Sequence, residues 1–443
     1  MTVAPAAVSQ QKYLETGDLA HLEAAIIHSR ADLAPHDVET PTAAIHLSRL
    51  SNALRMRYQR LGHDRDLDEA VETGRLCVRH TPADHHFRAQ RLSNLGFALR
   101  LRYERSGRPT DIEQAVSIGE QAVDAAGDDD PNLPMMVSNL AVALRVRHEV
   151  SLDPDDLARA IKAGTYCLRA TPPDAYERRG MLNNLGLAFF EMFESTRDPA
   201  DLTKGEALLR LAVDVTPHDD PDWPTYTLNL SVAMRTVATE SNSAVAADQA
   251  VELAEQALQF LPVGHPERAF ALSELGRAHR TRAVGSGDPA ERRLAVSYRR
   301  EAAGDPIASP LTRALAATAW GEWSHADGDL LEAVAGFSAA IDMLGLVAWH
   351  GLDIVAQQRH LSRWRKLAPV ATATCLDARE HTRAVELLER GRTVLWNQLL
   401  DRRADVDRLR AADSDLADGL EYIRAELDAD RYREALAGRS QET

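Results

Sequence analysis

The residues able to do chemistry in this chain are few, and their spacing says which chemistry is open to them. Cysteine occurs only at Cys77, Cys167 and Cys375. A Cys–His pair can supply a nucleophile and its base. Yet Cys77 and Cys167 share a register with Ala122, Ala212, Ala257 and Ala302, and a thiol that alternates with alanine reads as a small core residue. Cys375, in VATATCLDA, reads the same way. His85-His86 has no third or fourth ligand at metal spacing. The acid run Asp128-Asp129-Asp130 lacks the spacing of a calcium loop and reads as a solvated turn. No G-x-G-x-x-G, G-x-x-x-x-G-K, H-E-x-x-H or C-x-x-C is present. The expectation is a non-enzyme, with no catalytic, cofactor or metal residue.

What recurs instead is polar. Asn94, Asn139, Asn184 and Asn229 stand one 45-residue period apart, with Arg49 and Glu274 at the two ends of the column. A side-chain amide offers one acceptor and two donors, which matches the N–H and C=O of a peptide unit whatever its sequence. A second column holds Arg55, Arg100, Arg145, Arg235 and Arg280, interrupted by Phe190. A line of guanidiniums favours carboxylates and acidic segments. Each column has a structural alternative. The asparagines can bond a neighbouring helix, and the arginines can pair with acids of adjacent second helices.

The same period organises the apolar residues. Ala25, Ala70, Ala115, Ala160, Ala250 and Ala295 lie on a 45-residue grid, with Gly205 in the remaining place. Leu50, Leu95, Leu140, Leu185, Leu230 and Leu275 keep the same step, each followed by a small residue: Ser51, Gly96, Ala141, Gly186, Ser231 or Gly276. Both segments of a unit show helical spacing, as in LSNLGFALRLRY and DIEQAVSIGEQAV. Pro109, Pro154, Pro199 and Pro289 stand just ahead of the second segment, where a missing N–H costs little. Pro82, Pro172, Pro217 and Pro262 mark the loop after it, and Asp84, Asp129, Asp174 and Asp219 are expected to cap the next helix. The expectation is an all-α superhelix of helix–turn–helix units. Residues 1–305 form its regular part, 306–403 its irregular continuation and 404–443 a charged helical tail.

Length and composition narrow the classes. The 443 residues carry a formal charge of −16, which argues against nucleic-acid or anionic-membrane binding. Three cysteines are too few for a disulfide framework. The N-terminus has no basic stretch followed by an apolar one, and no apolar run of about 18 residues is evident. A cytoplasmic protein is expected.

The pattern L-x-N-L-G…A-L-x-x-R-Y, followed by A-V in the second helix, resembles the tetratricopeptide repeat. The usual unit is about 34 residues, so this version lengthens the helices and the turn between them. The resemblance implies that the first helix lines the inner surface. There Asn94, Asn139, Asn184, Asn229 and Arg49 would hold an extended peptide, and Arg55, Arg100, Arg145, Arg235 and Arg280 an acidic one. Residues 383–427 resemble the segment joining such repeats to the CHAT domain of actinobacterial CHAT proteins, a caspase-like peptidase fold. The match rests on E-x-G-R-x-x-L-W, here Glu389, Gly391, Arg392, Leu395 and Trp396. CHAT domains supply their His and Cys from a strand-rich region beyond this point, and no such sequence follows here, so no catalytic residue carries over. The implied function is a protein- or peptide-binding scaffold, the sensor or regulatory region of a CHAT peptidase in cis or in trans. The alternative is a structural spacer or oligomerisation arm, with no groove function.

Overall fold

Helix starts in the computed structural model follow the sequence period. The structure describes residues 5–34, 40, 43–347, 361–394, 409–411 and 413–423. Leu395, Trp396 and most of the tail at 404–443 lie outside the described residues. Among the described residues there is helix and turn but no strand.

The chain opens with α1 (Pro5–Thr16) and α2 (Leu19–Leu33). Hairpins follow: α3 (Ala43–Leu61) with α4 (Asp64–Arg79), α5 (Arg88–Ser106) with α6 (Pro109–Ala125), and α7 (Leu133–Ser151) with α8 (Pro154–Ala170). Then come α9 (Arg178–Thr196) with α10 (Pro199–Asp214), α11 (Trp223–Ser241) with α12 (Ala244–Gln259), and α13 (Arg268–Ser286) with α14 (Pro289–Gly304). From α3 to α14, first helices and second helices alike start 45 residues apart. The step breaks at α15 (Pro310–Ala326) and α16 (Leu330–Val347), and two shorter helices follow at Leu367–Asp377 and His381–Arg392.

Local chemistry sets these boundaries. Pro109, Pro154, Pro199 and Pro289 each begin a second helix. Asp153, Asp198 and Asp288 accept from the backbone N–H of Asp155, Ala200 and Ala290 at 3.0, 2.9 and 2.8 Å, closing a donor left open at the helix start. Each first helix ends in one left-handed residue: Gly62, Gly107, Leu152, Arg197, Asn242 or Gly287. Glycine takes that conformation freely, whereas Leu152, at φ 55°, pays for its Cβ there. The expected caps at Asp84, Asp129, Asp174 and Asp219 are displaced by one residue, and those four are exposed. Asp130 and Asp220 accept from the N–H of Asn132 and Asp222 at 2.8 and 2.9 Å. At the same place in other loops His85 and His265 accept through Nδ1 from Phe87 and Glu267. The turn selects a short-range acceptor, and imidazole serves as well as carboxylate.

The small columns are where the two helices of a hairpin meet. Ser51 Oγ donates to the Ala70 carbonyl at 2.7 Å. A Cβ added at Gly96 would lie 3.2 Å from the Ala115 carbonyl oxygen, and one at Gly276 3.0 Å from that of Ala295. The leucine column, from Leu50 to Leu275, is buried throughout, each side chain contributing about 1.5–3 kcal/mol by leaving water.

Contacts divide the chain into two units, 1–233 and 234–443, the division falling inside α11. In the first, α3, α5, α7 and α9 pack in succession as a layer of first helices, over a core that runs through Leu95, Leu99, Ile112, Leu140 and Leu144. In the second, Trp320, Phe337, Ile341, Leu344 and Leu387 share one core. Gly391, in the E-x-G-R motif, sits where a Cβ would come 2.5 Å from that of Ala368, so helix packing alone accounts for this glycine.

One expectation needs correcting. Leu330–Val347 spans 18 residues at mean hydropathy 1.7, which is long and apolar enough to cross a membrane. Half of it is buried inside the protein. Its two acids are paired, Glu332 with Arg300 at 2.9 Å and Asp342 with Arg390. Its apolarity comes from a buried face that packs on α15.

Candidate functional site

The first-helix face rests on a bracket that recurs at nine-residue separation. Arg57 binds Asp66, Arg102 binds Asp111 and Arg147 binds Asp156, each through two guanidinium–carboxylate hydrogen bonds. In the second unit Arg282 binds Glu291 in the same way, at 2.8 Å twice. The acid is the third residue of its helix, where the helix dipole also favours negative charge. These arginines fix first helix to second and are unavailable to a partner. Met192 and Val237 stand in the corresponding places of two hairpins, which lack the bracket.

The arginine column lies on the first helices, and its members differ in how well they are neutralised. Arg100 pairs with Glu104 on its own helix. Arg145 pairs with Glu149 at 3.3 Å and with Glu191 of the next first helix. In the second unit Arg235 meets Glu274 at 2.8 Å and Arg280 meets Asp327 at 2.6 Å. The acids therefore come from first helices or the turn after one, not from the adjacent second helices. Arg55 is the exception. Its hydrogen bond goes to Gln59 Oε1 at 2.6 Å, and no carboxylate pairs with it among the described residues. Arg55 and Arg100 both stack on Phe97, 4.6 and 4.7 Å from the ring centroid. Burial, with Arg100 beside it, pushes the Arg55 guanidinium down to about 10. Nε of Arg55, Arg100 and Arg145 has no hydrogen-bond acceptor. A slot of about 10 Å³, room for roughly one water, opens beside Arg145 and Asn184.

Glu191 gives this face a pH response. Burial pushes its carboxyl up to about 7, against the pull of Arg145. The unfolded chain then loses this proton near its ordinary value of 4.5, before the folded chain does. Stability from this group is complete below 4.5 and is lost as pH rises through about 7. Glu191→Gln is expected to flatten that part of the profile, so the melting temperature of the variant should fall less than wild type between pH 5 and 8. Parallel profiles would show that Glu191 does not titrate there.

The asparagine column is half-buried, and part of its capacity is spent inside the protein. Asn139 donates to Ser93 Oγ at 3.0 Å, and Asn229 donates to Asn183 Oδ1 at 2.9 Å, each reaching the preceding first helix. Asn184 accepts from Asn183 at 3.4 Å. For Asn94 and for Arg49, which is also half-buried, no partner is found among the described residues. Two of the four asparagines therefore brace neighbouring helices, as the structural alternative has it.

The thiols are placed for packing. Cys77 and Cys167 are buried and donate to the Ala44 and Pro134 carbonyls at 3.2 and 3.1 Å. Burial raises all three thiols, Cys167 to about 12, which disfavours the nucleophilic thiolate. Among the described residues no group of three or more His, Cys, Asp or Glu is placed to hold a metal ion. Sequence reading missed the Arg–Asp bracket, although its nine-residue spacing lies on the same grid. It also missed Phe97, which has no periodic counterpart to draw notice.

No protein-family model matches the chain, and no curated protein sequence does. Solved structures are similar to it at low identity. Kinesin light chain TPR-like repeats of Podosopora anserina are 18% identical, with a TM-score of 0.35 over 47% of this chain and 94% of that one. A tetratricopeptide repeat protein from Parabacteroides merdae is 13% identical, with a TM-score of 0.42 over 70% of this chain and 97% of that one. The human IFIT1 dimer with PPP-AAAA is 15% identical, with a TM-score of 0.42 over 92% of this chain and 89% of that one. These are likenesses of fold. The described part of the chain is all-α, built of paired helices that resemble those of tetratricopeptide repeats.

Proposed function

We propose that the chain is a protein-binding scaffold whose first-helix face, in the unit 1–233, holds an acidic segment of a partner. The observation that carries this is Arg55. A guanidinium stacked on Phe97 next to a second guanidinium, with no carboxylate of its own, is a half-buried charge awaiting an anion. Arg49 and Asn94, on the same layer and without protein partners among the described residues, add donors within the same unit. The finer reading, a regulatory region for a CHAT peptidase in cis or in trans within the cytoplasm, draws its support from the resemblance at 383–427. Asn139 and Asn229 favour the spacer alternative to the extent that their amides are engaged between helices.

The test is a polarisation titration with labelled decaglutamate, against decaglutamine as the neutral control. Wild type is expected to prefer decaglutamate. The double variant Arg55→Glu, Arg100→Glu should lose about 10- to 100-fold, the scale of charge-assisted hydrogen bonds of about 1.5–3 kcal/mol. Equal affinity for the two peptides would defeat the reading. For the CHAT role, a CHAT peptidase assayed with and without this chain should change its rate.

A further inference from the structure

In the unit 234–443 another arginine has no counter-ion among the described residues, and it is fully buried. Arg299 stands on α14, only 3% exposed. In the repeat register its equivalents are Gly74, Gly119, Gly164, Leu209 and Ala254, and on the three glycines the next leucine packs. Arg299 instead lies over the Trp323 ring, 4.8 Å from the centroid. Its Nε has no acceptor, and no carboxylate lies within ion-pair distance of it among the described residues. Buried guanidiniums are normally paired, because an uncompensated charge out of water is costly.

Its arginine neighbours already have acids. Arg235 and Arg277 share one carboxylate, Glu274, at 2.8 and 3.5 Å. Glu274 is fully buried, and its Oε2 accepts no hydrogen bond. Glu322 is the other acid that acts on Arg299. Arg280 lies over the same Trp323 ring, 5.8 Å from the centroid, but has Asp327 at 2.6 Å, so among the described residues Arg299 is the member of this cluster without an ion pair. Burial, reinforced by Arg277, pushes Arg299 down to about 9, the direction of a cation short of negative charge. An anion brought to Arg299 would supply the partner it lacks. A planar carboxylate also matches a planar guanidinium, and Arg277, whose side chain is 39% exposed, gives the cluster an open edge.

We propose that Arg299, Arg277 and Trp323 form a carboxylate-binding subsite in this unit, taking a Glu or Asp side chain from an acidic segment of a partner protein. The proposal rests on the reading that the partner is acidic, but it places a second anchor on residues separate from Arg55 and Arg100.

The full chain, Arg299→Met, Arg277→Gln and Arg55→Gln are titrated with labelled decaglutamate and melted without peptide. Arg299→Met is expected to weaken the peptide about tenfold or more. Its melting temperature should equal or exceed that of wild type, since a buried charge without a partner has been removed. Arg277→Gln should weaken the peptide while melting as wild type does. Unchanged affinity in Arg277→Gln overturns the proposal, whether or not Arg299→Met is destabilised. So does an Arg299→Met variant that melts several degrees lower and binds normally, because Arg299 would then be structural. If Arg55→Gln loses affinity while the other two keep it, the acidic-partner reading stands and this subsite falls. If wild type does not bind decaglutamate, both fall.

Discussion

Asp111→Ala is expected to destabilise the first unit by about 3–5 kcal/mol, the cost of stranding a buried charge. Asp111 is 2% exposed, and its two oxygens take Nε and Nη2 of Arg102 at 2.9 and 2.7 Å. Burial pulls the Arg102 pKa down, but Asp111, with Asp68 and Glu72, more than offsets it. Without that carboxylate only Asp68 and Glu72 remain, both at 3.8 Å. The double variant Arg102→Met, Asp111→Leu should recover most of the loss, because apolar replacement of a buried pair is often neutral or better. Chemical denaturation measures both. A small effect in Asp111→Ala would mean that the bracket does not hold α5 to α6.

Gly336→Ala is expected to cost about 1–3 kcal/mol or more in the second unit. A Cβ there would fall 2.5 Å from the Gly321 backbone nitrogen and 2.8 Å from its Cα, with no flexible side chain between to yield. The axes of α15 and α16 must part, and Phe337, wedged against Gly321, must move with them. Because each helical pair contacts mainly its neighbours, the damage should stay local. Hydrogen exchange should show lost protection across 310–347 and unchanged protection across 88–106. Uniform loss, or none, would contradict the assigned contact.

The apolar grid was readable because burial acts on single residues: Leu95 or Ala115 needs only its own position to be recognised as core. The caps were misread by one residue because Asp84, Asp129, Asp174 and Asp219 form a uniform column, whereas the residues that cap are chemically mixed, Asp130 and Asp220 beside His85 and His265. The Arg–Asp bracket was present at constant spacing but broken at Met192 and Val237, and charged helix residues read first as solvated. The candidate site was legible only as two columns. For most of them, whether a residue is free depends on partners 39 to 47 positions away, such as Asn139 with Ser93, Arg145 with Glu191, Arg235 with Glu274 and Arg280 with Asp327. No local pattern encodes those distances. Arg55 and Arg145 look alike in sequence, and only the packed layer shows that Arg145 has its acids while Arg55 has none among the described residues.

The arginines rather than the asparagines are expected to hold the partner, and one titration separates them. Decaglutamate is titrated into wild type, Arg55→Glu and Asn139→Ala, with melting temperatures recorded alongside. Arg55→Glu should weaken binding about tenfold or more with the fold intact, because it reverses the column charge that has no acid among the described residues. Asn139→Ala should bind within about twofold of wild type yet melt lower, having lost a brace to Ser93 of about 0.5–1.5 kcal/mol. The reverse result, with Arg55→Glu binding as wild type and Asn139→Ala losing affinity without losing stability, would contradict the assignment and return the asparagine column to the partner.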